Sequence, residues 1–90
     1  MPRVAPYHRV ITANARGRVV SLDNRRLAKI AKLAGAPEDN AAGLELHVKL
    51  GDSIDPRQPL YTIHSESPGE LAYALNYARA NPDTIGMLEA

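Results

Sequence analysis

Apolar residues recur three and four positions apart at Leu27, Ile30, Ala31 and Ala34. That spacing stacks side chains on one face of a helix. Arg25, Lys29 and Lys32 fall on the opposite face, at i, i+4 and i+7. Asp23 precedes the run and can accept hydrogen bonds from the free N–H groups of a first turn. Gly35 fits a left-handed helix end, and Pro37 blocks continuation. A second helix is predicted from Ser67, with Leu71, Ala74, Leu75 and Ala78 as its apolar face and Asn81-Pro82 as its end. Ser67 and Glu70 have the spacing of a capping box, in which each side chain serves the other's backbone N–H. Pro68 occupies the first helical position, where its missing N–H costs nothing.

Elsewhere the period is two. Leu44, Leu46, Val48 and Leu50 alternate with Glu45, His47 and Lys49, the pattern of a half-buried strand. The β-branched content of Tyr7 to Ala13, the stretch Arg18 to Leu22 and the stretch Leu60 to His64 predict three further strands. Asn14-Ala15-Arg16-Gly17 reads as the turn of a hairpin between the first two. Gly51-Asp52 is a tight turn, and Asp55-Pro56-Arg57-Gln58 suits a type I turn. The residues from Glu38 to Gly43 make a loop, and Thr84-Ile85 suggests a short edge strand in the tail. This order predicts an α+β fold, with two helices on a small, mostly antiparallel sheet. The whole chain, 1–90, is expected to be one domain with its core at about 7–81.

Composition narrows the functions. The formal net charge is +1, and the chain contains no Phe and no Trp. A nucleic-acid binder shows a strongly basic domain and, for single strands, an aromatic platform. Neither is present, although Arg16 and Arg18 could extend the basic stripe. The ordinary role of such a stripe is a solvated helix face. No apolar run approaches the length of a membrane span, and the N-terminus lacks a signal-peptide core. Without cysteine there is no disulfide framework, thiolate nucleophile or cysteine zinc site, so a cytoplasmic location is the default.

Catalytic candidates are sparse. His8, His47 and His64 stand in no metal-ligand spacing, and each reads as a surface or structural histidine. A zinc site assembled from them by folding stays open. Ser65, Glu66, Ser67 and Glu70 lie near His64, but no Gly-x-Ser-x-Gly elbow accompanies them. The glycines are isolated, so no phosphate-cradling loop is formed. No catalytic, cofactor-binding or metal residue is assigned.

Two resemblances carry more information. Val48-Lys49-Leu50-Gly51-Asp52-Ser53-Ile54-Asp55-Pro56-Arg57-Gln58-Pro59-Leu60 resembles the V-x-x-G-D-x-V-x-x-G-Q-P-L run of biotinyl and lipoyl carrier domains. Those carriers need a downstream lysine for their prosthetic group, and Lys49 is the last lysine here, which rejects a carrier role. Three segments together are similar to the C-terminal domain of pyrimidine-nucleoside phosphorylases, in the thymidine phosphorylase branch that resembles archaeal AMP phosphorylases. They are Asp23-Asn24-Arg25 through Gly35-Ala36-Pro37, then Ala42 through Asp52, then Gln58 through Ser67.

That resemblance implies an α/β-hammerhead fold. It implies a parent enzyme that cleaves a nucleoside with phosphate to give a free base and a sugar 1-phosphate. The catalytic histidine, the phosphate loop and the base-binding residues of that family belong to other domains, and no position here matches them. The expected partners are therefore the remaining domains of a nucleoside phosphorylase, which would bind phosphate and nucleoside, in a parent expected to be a homo-oligomer. No nucleic-acid or membrane partner and no cofactor is expected. Thymidine, another pyrimidine nucleoside or AMP all remain open as the parent's substrate. The competing expectation is a stand-alone interaction module that binds an acidic or phosphorylated partner through Arg25, Lys29 and Lys32.

Overall fold

The computed structural model describes residues 5–36 and 42–89. Pro2, Pro37 and most of the predicted 38–43 loop lie outside them. The elements run β1 (Tyr7–Thr12), β2 (Gly17–Leu22), α1 (Asn24–Leu33), β3 (Gly43–Leu46), β4 (Ser53–Ile54), β5 (Pro59–Ser65) and α2 (Pro68–Ala80). A 3₁₀ turn (Pro82–Thr84) and β6 (Ile85–Glu89) complete the chain. They form two three-stranded antiparallel sheets, ordered β1-β5-β3 and β4-β2-β6, with the two helices packed on the first. The fold is α+β, as expected. Its core joins Val19 and Ile54 of the second sheet to Tyr61 and Ile63 of the first, and to Leu27, Ile30, Leu71 and Ala74 of the helices.

Both helices begin where their caps require. The Asp23 carboxylate accepts from the Arg26 N–H, and Ser67 Oγ accepts from the Glu70 N–H. At the end of α1 the Gly35 N–H donates to the Lys32 carbonyl and the Ala36 N–H to the Ala31 carbonyl. That pair of bonds, with Gly35 at φ +121°, satisfies carbonyls that the last turn leaves unpaired. Ser65 Oγ donates to the Ala34 carbonyl at 2.8 Å and so pins the helix end to β5. The second half of the predicted capping box is replaced: the Ser67 N–H donates to Ser65 Oγ at 3.3 Å.

The hairpin expected between the first two strands does not form. β1 pairs with β5 and β2 with β4 and β6, so the chain changes sheet between Thr12 and Gly17. The reason lies at Ala13, whose N–H donates to the Gln58 carbonyl and whose carbonyl accepts from Arg57 N–H at 2.8 Å. These bonds tie the corner to the 55–58 turn rather than to β2. A similar change shortens the alternating stretch at 44–50. β3 ends at Leu46, Leu46 and Leu50 are exposed, and Val48 alone of the four is fully buried. The Gly51 N–H donates to the Val19 carbonyl and the Val19 N–H to the Asp52 carbonyl, which carries the chain into the second sheet. Gly51 makes that turn at φ +90°. The tail supplies a full strand over Ile85–Glu89 along β2, longer than the Thr84-Ile85 edge expected.

The 55–58 turn is type II rather than type I. Its Gln58 N–H donates to the Asp55 carbonyl, and Arg57 sits at φ +68°. Type II geometry flips the central peptide, and that peptide carries the Arg57 N–H used by Ala13. In the carrier-domain run this position is glycine. Among the described residues Arg57 is the one non-glycine residue at positive φ.

Three substitutions at two positions test these assignments. Arg57→Val should destabilise the fold by about 1–2 kcal/mol, because a branched Cβ is disfavoured at positive φ. Arg57→Gly should be neutral or stabilising by up to about 1 kcal/mol, and equal losses in thermal melts of the two variants would contradict the turn assignment. Ser65→Ala leaves the buried Ala34 carbonyl without this donor, so its urea midpoint should drop by the equivalent of about 1–3 kcal/mol. An unmoved midpoint would remove Ser65 from the helix-pinning role.

Candidate functional site

Antiparallel partners share a sheet face, so register decides which side chains meet. In the first sheet His8 stands opposite His64, Val10 opposite Thr62, and Thr62 opposite Glu45 on the other side. The face turned away from the helices therefore collects His8, His64 and Glu45, with His47 just beyond the end of β3. His64 Nε2 lies 3.2 Å from Glu45 Oε1. The His8 and His64 rings are 6.2 Å apart between centroids, tilted by 34°. His47 Nε2 is 2.7 Å from Thr62 Oγ1, a buried hydroxyl. Each histidine thus has a partner, and all three share one surface. Among the described residues no group of three or more His, Asp or Glu side chains could hold a metal ion.

The basic stripe is where the helical period puts it. Arg25, Lys29 and Lys32 are exposed on α1, while Leu27, Ile30 and Ala34 point into the core. None of the three cations makes an ion pair among the described residues. Arg26 does: it reaches its own cap, Asp23, at 3.2 Å and Asp83 of the 3₁₀ turn at 2.5 Å. Arg16 lies at the sheet corner, 3.5 Å from Asp55, and Arg18 lies on β2. Neither belongs to the α1 surface, so the stripe is confined to three residues.

An open groove of about 670 Å³ runs between the edge strands β1 and β6. Val10, Ile11, Leu60, Ile85 and Met87 give it apolar walls, and Asn14, Arg79 and Asp83 contribute polar groups. Tyr61 lines it too, and burial pushes its phenol above the ordinary tyrosine range. The lining holds no histidine and no lysine. The groove can accept an apolar or extended group, but it offers none of the usual base–nucleophile pairings of covalent catalysis.

Sequence reasoning located the basic stripe because its residues share one helix. It did not locate the His8–His64–Glu45 grouping, whose members come from three strands. The alternation of Glu45 and His47 gave their face, yet no local signal gives the order β1-β5-β3.

Comparison with known proteins gives consistent matches. The model of the family described as pyrimidine nucleoside phosphorylase C-terminal domain matches residues 18–84. A protein of Polaromonas sp. (strain JS666) named "putative thymidine phosphorylase" is 50% identical over 88 residues, covering 98% of this chain and 17% of the relative. A Sphingopyxis alaskensis protein of the same name is 57% identical over 79 residues, covering 88% of this chain and 15% of the relative. One from Legionella pneumophila (strain Corby) is 53% identical over 81 residues, covering 90% and 16%. The chain thus spans about one-sixth of the length of these relatives.

Proposed function

The chain belongs to the pyrimidine nucleoside phosphorylase C-terminal domain family, and on that premise we propose that it serves as the C-terminal domain of a thymidine phosphorylase-like enzyme. The parent reaction is pentosyl transfer to phosphate. The bond between thymine and deoxyribose C1′ breaks, a phosphate oxygen bonds to C1′, and thymine and 2-deoxyribose 1-phosphate leave. In this reading the present domain is structural and non-catalytic, its partners are the remaining domains, and those domains bind phosphate and nucleoside. The parent is a cytoplasmic homo-oligomer.

The observation that carries the reading is the family match over residues 18–84 in a chain about one-sixth as long as its relatives. The composition of the groove supports it, since its lining holds no histidine or lysine to activate phosphate or protonate a leaving base. No helix among the described residues is long and apolar enough to cross a membrane.

A second reading rests on one specific observation. Arg25, Lys29 and Lys32 form an exposed basic row on a well-capped helix, without ion pairs among the described residues. A docking surface for an acidic or phosphorylated partner has that character.

Two measurements separate the readings. The purified chain, incubated with thymidine or AMP and phosphate, should release no free base above the protein-free control, whereas catalysed phosphorolysis would overturn the non-catalytic assignment. For the second reading, an acidic peptide or phosphopeptide should bind in a salt-sensitive way and lose that binding when Arg25, Lys29 and Lys32 all become alanine. Unchanged binding by the triple variant would dismiss the stripe.

A further inference from the structure

We propose that the groove between β1 and β6 receives an extended peptide segment from elsewhere in a phosphorylase-like chain, which adds a strand at their free edges. Among the described residues β1 pairs only with β5, and β6 only with β2, so each ends its sheet. The groove follows the backbones of these strands rather than their faces. Successive strand residues point to opposite faces. Yet Val10, Ile11 and Thr12 line the groove in sequence, and so do Ile85, Gly86 and Met87. Consecutive lining of that kind puts the unpaired N–H and C=O groups of each edge on the groove, which is the template for strand addition.

Size and charge suit such an occupant. Five extended residues, the length of β6, reach about 17 Å. Spread over that length, a volume of 670 Å³ gives a cross-section of about 40 Å². A strand packed in a sheet fills about 48 Å², the product of its two spacings, and the open side of the groove supplies the difference. Arg79, Asp83 and Glu89 are the charged lining residues, and Arg26 holds Asp83 at 2.5 Å. One cation and one anion are left. That balance favours a neutral occupant, and a peptide main chain is neutral.

Tyr61 gives an independent reason for an occupant. It is 3% exposed and lines the groove, and its hydroxyl has no hydrogen bond among the described residues. A buried hydroxyl without a partner is costly. Its burial keeps it protonated and therefore a donor, and a carbonyl of an inserted strand supplies the missing acceptor. The matched relatives have about five-sixths of their length outside the region they share with this chain, so the same polypeptide can provide the segment. That source rests on the proposed role as one domain of a longer enzyme. The two readings fail separately: phosphorolysis by the isolated chain would leave this groove untouched, and an empty groove would leave the non-catalytic role untouched.

The test uses overlapping peptides of about 15 residues, a length that spans a strand with its flanks. They are taken from the Polaromonas relative outside the matched region and titrated into the 90-residue chain by fluorescence anisotropy. The expected result is saturable binding by one run of neighbouring peptides, little changed by salt. N-methylation at alternate residues of the bound peptide should weaken it by about tenfold or more, because a methylated amide cannot join a strand ladder. This change is made in the probe, so the fold of the domain is not at issue. Tyr61→Phe should weaken binding by about threefold to tenfold, and alanine at Arg25, Lys29 and Lys32 together should leave it unchanged. Absence of binding by every peptide would overturn the inference. Binding indifferent to N-methylation at all positions, or lost in the triple alanine variant, would do the same. Concentration-dependent dimers that Met87→Lys disrupts would also overturn it, by giving the groove to a second copy of the chain.

Discussion

Two three-stranded sheets of this size cannot each hide a face alone, so the fold depends on the core they share and on the backbone bonds that hold the corners where the chain passes from one sheet to the other. Ala13 exchanges hydrogen bonds with Arg57 and Gln58 at one crossing, and Val19 with Gly51 and Asp52 at the next. Between them Val19, Ile54, Tyr61 and Ile63 form one continuous core. Opening that shared core would expose apolar faces of both sheets, an expense far beyond a single hydrogen bond. The positive φ at Arg57 is tolerated at that point because the flipped peptide is what reaches Ala13.

The same crossings set the functional surfaces. Helices cover one face of the first sheet, and its other face is left to His8, His64, Glu45 and His47. The basic row projects from α1 on the helix side. The groove lies where the free edges of the two sheets approach, between β1 and β6. These three features are distinct: a face of histidines and a carboxylate, an exposed basic row and an apolar groove.

Much of the local structure was legible in the chain. Asp23 and Ser67 marked the helix starts, and the 3.6-residue spacing of Leu27, Ile30 and Ala34 gave the buried side of α1 together with the exposure of Arg25, Lys29 and Lys32. The phosphorylase resemblance, built on three short segments, agrees with the family found over residues 18–84. What escaped was everything decided at long range. Asn14 to Gly17 looks like a hairpin turn because adjacent strands ordinarily pair, but Ala13 bonds with the 55–58 turn instead. The alternation at 44–50 continues in sequence after the strand has stopped, since Val48 serves the core from a crossing segment. Pro56 favours both common turn types, so only the partner of the Arg57 N–H selects type II. The histidine grouping needed the strand order, which local periodicity does not contain.

Amide hydrogen exchange of the 90-residue chain tests these corners most directly. The N–H groups of Ala13, Val19, Gly51 and Arg57 should be protected to the level of Ile63, because opening any of them requires global unfolding. Rapid exchange at these four amides while Ile63 stays protected would mean that the core holds together without the corner bonds, and the account would fail there.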